Sequence, residues 1–143
     1  RQAFADFGIV VDRYPNSRYA ADARSRMGEL RDMFALSEIN NGLYYLRRGA
    51  WVSAVGRANY VLETYPESSF KADAIALLGA AYTGLGNTEL ADSARTQLGG
   101  VQADHPWLAG KWPNYPWMVR RLNPFAGEKS IATGQRNATI SRN

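Results

Sequence analysis

Four residues recur at one spacing twice along this chain. Gly42, Tyr45, Gly49 and Ala54 stand at offsets 0, 3, 7 and 12, and Gly79, Tyr82, Gly86 and Ala91 repeat those offsets 37 residues later. A period of this length without strand-like alternation restricts the chain to stacked helix pairs, because one pair cannot bury its apolar face alone. Each offset has a mechanical meaning. A small residue on the first helix (Gly42, Gly79) and one on the second (Ala54, Ala91) let two antiparallel helices approach closely. Tyr45 and Tyr82 fill the groove between them. Gly49 and Gly86 supply the left-handed residue of a short turn. A partial third copy opens the chain: Ala3 precedes Pro15 by twelve residues, as Ala54 precedes Pro66. Pro106 follows Ala91 by fifteen, so the last helix is expected to run about one turn longer.

Proline punctuates the rest. Pro15, Pro66 and Pro106 each follow a helical apolar pattern, where proline ends a helix. The predicted helices are 1–14, 18–47, 50–64, 70–84 and 88–104. Ser17 is placed to cap the second, and Gly28 or Gly42 is a place where it can loosen. Arg47-Arg48-Gly49 ends it, with cations at the negative end of the dipole. The fold class is all-α: a tetratricopeptide-repeat, right-handed helical solenoid over 1–106, followed by a Trp/Pro-rich basic extension over 107–143. In that extension helix is not expected across 106–116, a short helix is possible from Trp117 to Leu122, and Trp107, Trp112 and Trp117 are expected to fold back on the last repeat. Asn137-Ala138-Thr139 matches a glycosylation acceptor, a match short enough to arise by accident.

Composition narrows the function classes. Of 143 residues, 45% are hydrophobic and 21% charged, which is a globular composition. There is no cysteine and one histidine, His105, which removes disulfides, thiolate chemistry and multi-histidine metal sites. No run of eighteen apolar residues reads as a membrane-spanning helix. The chain starts at Arg1 with a helical pattern already under way, as a fragment or processed product would. The net charge of +4 is uneven: residues 1–106 hold eleven Lys and Arg against twelve Asp and Glu, whereas 107–143 hold six against one. A basic extension can attract nucleic acid, anionic lipid or an acidic partner, or simply keep the chain soluble. The near-neutral body lacks the basic track that phosphate binding needs.

No catalytic constellation is present, and no cofactor or metal is expected. His105 stands beside a helix-ending proline, where it reads as a capping or surface residue. Solenoids of this kind bind other chains along an extended surface. On the 50–64 helix, Ala54, Ala58, Val61 and Tyr65 form the core stripe. Arg57 lies with Ser53, Tyr60 and Thr64 on a mixed polar face, the composition of an interface hot spot, although a solvated arginine explains the same pattern. Trp51, beside the glycine turn, can pack between repeats or meet a partner.

Tyr14-Pro15-Asn16-Ser17-x-Tyr19-Ala20-x-Asp22-Ala23 resembles a block in the BamD (ComL) family, the tetratricopeptide lipoproteins of the outer-membrane β-barrel assembly machine. So do Tyr44-Tyr45-Leu46-Arg47-Arg48-Gly49-Ala50-Trp51-Val52-x-Ala54, Arg57, and Val61-Leu62-Glu63-x-Tyr65-Pro66. The resemblance covers about residues 1–106 and corresponds to the C-terminal half of such a protein. It implies a non-enzymatic scaffold at the periplasmic face of the Gram-negative outer membrane. Membrane association would come only through a lipid anchor outside this fragment. The implied partners are the membrane-proximal POTRA domain of the insertase BamA and the small lipoproteins of the same machine, with no nucleic acid. The family's interface arginines fall on Arg57 and Arg48, and Trp51 and Tyr60 complete the expected contact set. Gly56 departs from the asparagine many members carry, which bears on local geometry. Another periplasmic adaptor, a nucleic-acid-binding repeat, or a regulatory region of an enzyme are the competing readings. The Arg48-Gly49-Ala50-Trp51 block argues against the first, the neutral body against the second, and only upstream sequence bears on the third.

Overall fold

A computed structural model describes residues 2–111, and all regular structure among them is helical. The elements are α1 (Gln2–Arg13), α2 (Arg18–Arg47), α3 (Trp51–Thr64), α4 (Lys71–Gly84) and α5 (Thr88–Val101), closed by a 3-10 turn at Pro106–Ala109. Each helix packs on its neighbours in sequence, and α2 also reaches α4. Helix pairs α2–α3 and α4–α5 are thus the two stacked repeats that the 37-residue period predicts. The expected helix over Trp117–Leu122, the glycosylation match, and Trp112 and Trp117 lie outside the described residues.

The two offset-7 glycines do the same job. Gly49 and Gly86 have φ of 72° and 76°. In the first turn the Ala50 amide donates to the Tyr45 carbonyl (3.0 Å) and the Gly49 amide to that of Leu46 (3.2 Å). In the second, Asn87 donates to Tyr82 (3.0 Å) and Gly86 to Thr83 (3.1 Å). This pair of bonds satisfies carbonyls that the helix end leaves without partners. Asn87 then caps α5 by accepting from the Leu90 amide at 3.1 Å.

Three expectations are corrected. Helix α2 runs through Gly28 and Gly42 without loosening. Ser17 occupies the N-cap of α2 with extended backbone, but its hydroxyl makes no cap bond. Helix α5 is not longer than its counterparts: α3, α4 and α5 each have fourteen residues. Paired glycines at 99 and 100 weaken its last turn, the chain leaves extended at Gln102, and the surplus residues form the loop that carries Pro106.

That loop delivers Trp107 to the core, where it is 1% exposed. The expectation that the extension folds back therefore holds for Trp107. A Cβ added at Gly79 would collide with the Trp107 indole, whose atoms are its three nearest neighbours. Gly79 is thus a notch for an indole, rather than the point of closest approach to Ala91 that the repeat spacing suggested. Likewise Gly42 is cut away for Leu77 of α4, and its next neighbour is Arg57 rather than Ala54. Ala54 and Ala91 are buried on the partner helices as expected. Arg95 lies 4.7 Å from the indole centroid and covers it from α5. His105 is buried, not on the surface. Its Nδ1 accepts from the Trp107 amide (3.2 Å), and its Nε2 stands 3.5 Å from Asp73 Oδ1 in the first turn of α4. The capping half of the sequence reading holds.

Candidate functional site: the Arg57 groove

Helix α3 starts directly after the Gly49 turn, and its period splits it into two faces. Ala54, Ala58 and Val61 are buried at 0%. Ser53, Gly56, Arg57 and Tyr60 fall on the other side at three- and four-residue spacing. With Tyr45 of α2 they line an open hollow of about 310 Å³. Gly56 faces open space there, since nothing lies within 4 Å of where its Cβ would be.

Gly42 governs how closely Arg57 approaches α2. A Cβ at position 42 would stand 3.4 Å from that of Arg57. One turn earlier on α2, Glu38 Oε2 accepts from Arg57 Nη1 at 3.0 Å. The guanidinium carbon sits 6.0 Å from the centroid of Tyr45. The hydrogen bond to Glu38, and then its charge, hold the Arg57 pKa above the ordinary arginine value. The Glu38 side chain is 22% exposed and that of Arg57 43%. The acid is the anchored member, and the arginine's outer edge remains wet. A pair this exposed adds little stability; it orients the guanidinium. Five N–H donors radiate from that group, so its bonds to Glu38 and Tyr45 leave capacity for a further carboxylate or carbonyl. Arg57 is therefore not the merely solvated arginine that explained the sequence pattern equally well, but one already aimed by an internal acid.

Tyr60, 37% exposed, extends the groove and meets Tyr65 edge to face at 6.0 Å. The other expected contacts lie elsewhere. Arg48 stacks 4.7 Å from the ring centroid of Tyr44, outside the lining. Trp51 packs between repeats: a Cβ at Gly84 would come within 2.5 Å of its indole. Of the repeat-packing set, Tyr45 and Tyr82 are half-buried against the core. Sequence reasoning missed Glu38, Gly84 and Leu77. Glu38 had a signal, since 38, 42 and 45 form one helical stripe leading to the glycine that admits α3. Gly84 reads as a helix end, and nothing in its position announces an indole.

The groove holds a cation, a hydroxyl and two phenols, with no nucleophile beside a base. Among the described residues no group of three or more His, Cys, Asp or Glu is placed to hold a metal ion, and no helix is long and apolar enough to cross a membrane. The groove's guanidinium, hydroxyl and phenols are hydrogen-bond donors whose chemistry complements acceptor groups such as carboxylates.

The profile of the YfiO family, described as outer membrane lipoprotein, matches residues 1–98. A protein of Xylella fastidiosa (strain 9a5c) named outer membrane protein assembly factor BamD is 64% identical over 143 residues, covering 100% of this chain and 49% of that protein. A protein of the same name from Neisseria meningitidis (serogroup A, strain Z2491) is 35% identical over 119 residues, covering 82% of this chain and 45% of its own length. A third, from Vibrio cholerae, is 38% identical over 89 residues, covering 62% and 37%. The chain spans about half the length, or less, of these curated relatives.

Proposed function

Given that this chain belongs to the YfiO family of outer membrane lipoproteins, we propose that it is a non-catalytic scaffold segment of the outer-membrane β-barrel assembly machine. It docks on the membrane-proximal POTRA domain of the insertase BamA at the periplasmic face of the outer membrane. A lipid anchor outside this segment holds it there, and small lipoproteins of the machine bind alongside. The observation that carries this reading is the Arg57 groove. Its guanidinium is aimed by Glu38 and Tyr45 into an open hollow beside Tyr60, where an acidic partner residue can take the remaining donors in two parallel bonds. Arg48, stacked on Tyr44, supplies a second cation near the turn.

A binding titration of the full-length protein with the isolated POTRA domain tests it. Arg57→Glu is expected to weaken binding by about tenfold or more, as loss of an interfacial charge pair does. Arg57→Lys loses part of the affinity because an ammonium cannot make the paired bonds. Glu38→Gln, which keeps an acceptor beside the guanidinium without its charge, is expected to weaken binding less than Arg57→Glu does. Wild-type binding by Arg57→Glu would remove the site. Equal losses for Arg57→Glu and Glu38→Gln would make the pair a structural strut.

A further inference from the structure

Three glycines inside the helices are seats for large side chains of this chain. A Cβ at Gly42 would collide with Leu77, one at Gly79 with the Trp107 indole, and one at Gly84 with the Trp51 indole. Gly56, the sixth residue of α3, has no such guest. A glycine in mid-helix costs stability that alanine would restore, and no contact at its missing Cβ offsets that cost. Gly99 and Gly100 are as open, but they stand in the last turn of α5, whereas Gly56 stands in mid-helix and lines a hollow.

The surroundings of Gly56 are absent from the second repeat. The 37-residue period carries Glu38, Ser53, Gly56, Arg57 and Tyr60 onto Ile75, Leu90, Ser93, Ala94 and Gln97. Ile75 and Ala94 are buried there, at 0% and 5%. The second repeat thus closes with two apolar residues where the first has Glu38 and Arg57, and with serine where the first has its glycine. Helix packing alone therefore does not call for the glycine, the aimed cation or the tyrosine at position 60. They are additions to one repeat, and with Tyr45 and Ser53 they leave an open hollow of about 310 Å³.

We propose that Gly56 is the seat for one aromatic side chain of the docking partner, beside the carboxylate that takes Arg57. The inference rests on the docking function proposed above and names a partner residue which that function leaves open. A ring laid on the bare backbone of Gly56 lies among Tyr45, Arg57 and Tyr60. Phenol rings pair with another ring edge to face or offset, and a guanidinium is drawn to a ring face. The remaining Arg57 donors stay available for the carboxylate. A carboxylate alone would use the guanidinium but not the missing Cβ or the second tyrosine. The complement of this groove is therefore an aromatic residue and an acid side by side. Buried aromatic anchors of this kind carry much of the energy of protein interfaces.

The test is a titration of the full-length protein with the isolated POTRA domain, run with Gly56→Ala and Gly56→Leu beside Arg57→Glu. Gly56→Ala is expected to raise the urea midpoint, since alanine favours helix and its Cβ meets nothing, and to weaken binding a few-fold. Gly56→Leu fills the seat. It is expected to keep the helix content and to weaken binding about tenfold or more. Stability and affinity then move in opposite directions, which a glycine serving the fold would not produce. Each exposed Phe, Tyr and Trp of the POTRA domain is next changed to Ala. One is expected whose loss weakens binding to the wild type and does little more to Gly56→Leu. A lowered urea midpoint for Gly56→Ala overturns the proposal, because the glycine would then serve the fold. So does a POTRA domain in which no aromatic residue couples to position 56. Wild-type affinity for Gly56→Leu also overturns it. If Arg57→Glu still loses affinity, only the seat is removed and the docking function stands; wild-type affinity for both variants removes the groove altogether.

Discussion

The two repeats use the same notch for different guests. In α2–α3 the offset-0 glycine, Gly42, receives Leu77 from the next repeat, and α2 packs along its length on α1, α3 and α4. In α4–α5 the equivalent glycine, Gly79, receives Trp107 from the chain's own return, and ten of the fourteen residues of α4 are buried. A glycine in a solenoid thus specifies a cavity, while the chain that follows decides what fills it. Where another repeat follows, a leucine suffices. Where none of the described residues form one, a tryptophan held by His105 and Arg95 closes the stack. A repeat whose apolar face meets no further repeat among the described residues needs such a cover.

Trp107→Ala should break that comparison most forcefully. It empties a fully buried site beside Gly79, and losses of about 3–5 kcal/mol are usual for such truncations. Urea unfolding measures it. A loss under about 1 kcal/mol would mean that the indole does not close the stack. Next, Gly42→Leu and Gly79→Leu should each cost about 1–3 kcal/mol by overpacking, with a difference that sharpens the contrast. In a Trp107→Ala background the Gly79→Leu penalty should shrink or reverse, whereas the Gly42→Leu penalty should persist. Identical penalties in both backgrounds would show that the notches are not read by different guests.

The helices and both glycine turns were legible because proline, glycine and period act locally. Offset-7 glycines encode a backbone conformation, and both were found in it. The notch partners were not legible. Close approach depends on which side chain arrives from elsewhere, and offsets 0 and 12 could not tell an alanine twelve residues on, across the turn, from a tryptophan 28 residues on. His105 shows the same limit, since its capping role is local and its burial against Asp73 is not. At the groove, the cation and its tyrosines were readable from the face of α3. Glu38 was not singled out, because it lies on another helix and looks like any solvated acid.

The two turns should be interchangeable in cost. Gly86→Ala meets nothing within 4 Å of its Cβ, so only the left-handed backbone resists it, at about 1–2 kcal/mol. Gly49→Ala carries the same backbone cost and adds ordinary contact with the Trp51 ring, whose nearest atom is 3.7 Å away. Melting temperatures should fall by similar amounts. A much larger fall for Gly49→Ala would mean that the Trp51 packing, not the turn, is what position 49 protects.

The smallest expected effect separates by pH the two Tyr-Pro-x-Ser turns, at 14–17 and 65–68. The second is clasped by Asp32 of α2, whose carboxylate accepts from the Ser68 hydroxyl (2.9 Å) and the Ser69 amide (3.0 Å). Partial burial raises the Asp32 pKa, but the hydrogen bonds from Ser69 and Ser68, with help from Arg31, outweigh it and leave the carboxyl below its ordinary value. A folded-state pKa below the unfolded one makes the carboxylate stabilising above the unfolded value, near 4. That contribution is lost as pH falls through the lowered folded value. Stability of the wild type should therefore decline as pH drops below about 4 by more than that of Asp32→Asn, which keeps the shape of the clasp without its titration. The variant should be the less stable at pH 7 and converge on the wild type in acid. Ser17→Ala in this 143-residue chain serves as the control, since its hydroxyl has no such partner among the described residues and should not alter the pH slope. Parallel pH profiles for wild type and Asp32→Asn would mean that the clasp holds the turn by shape alone, and the two turns would then differ in packing rather than in charge.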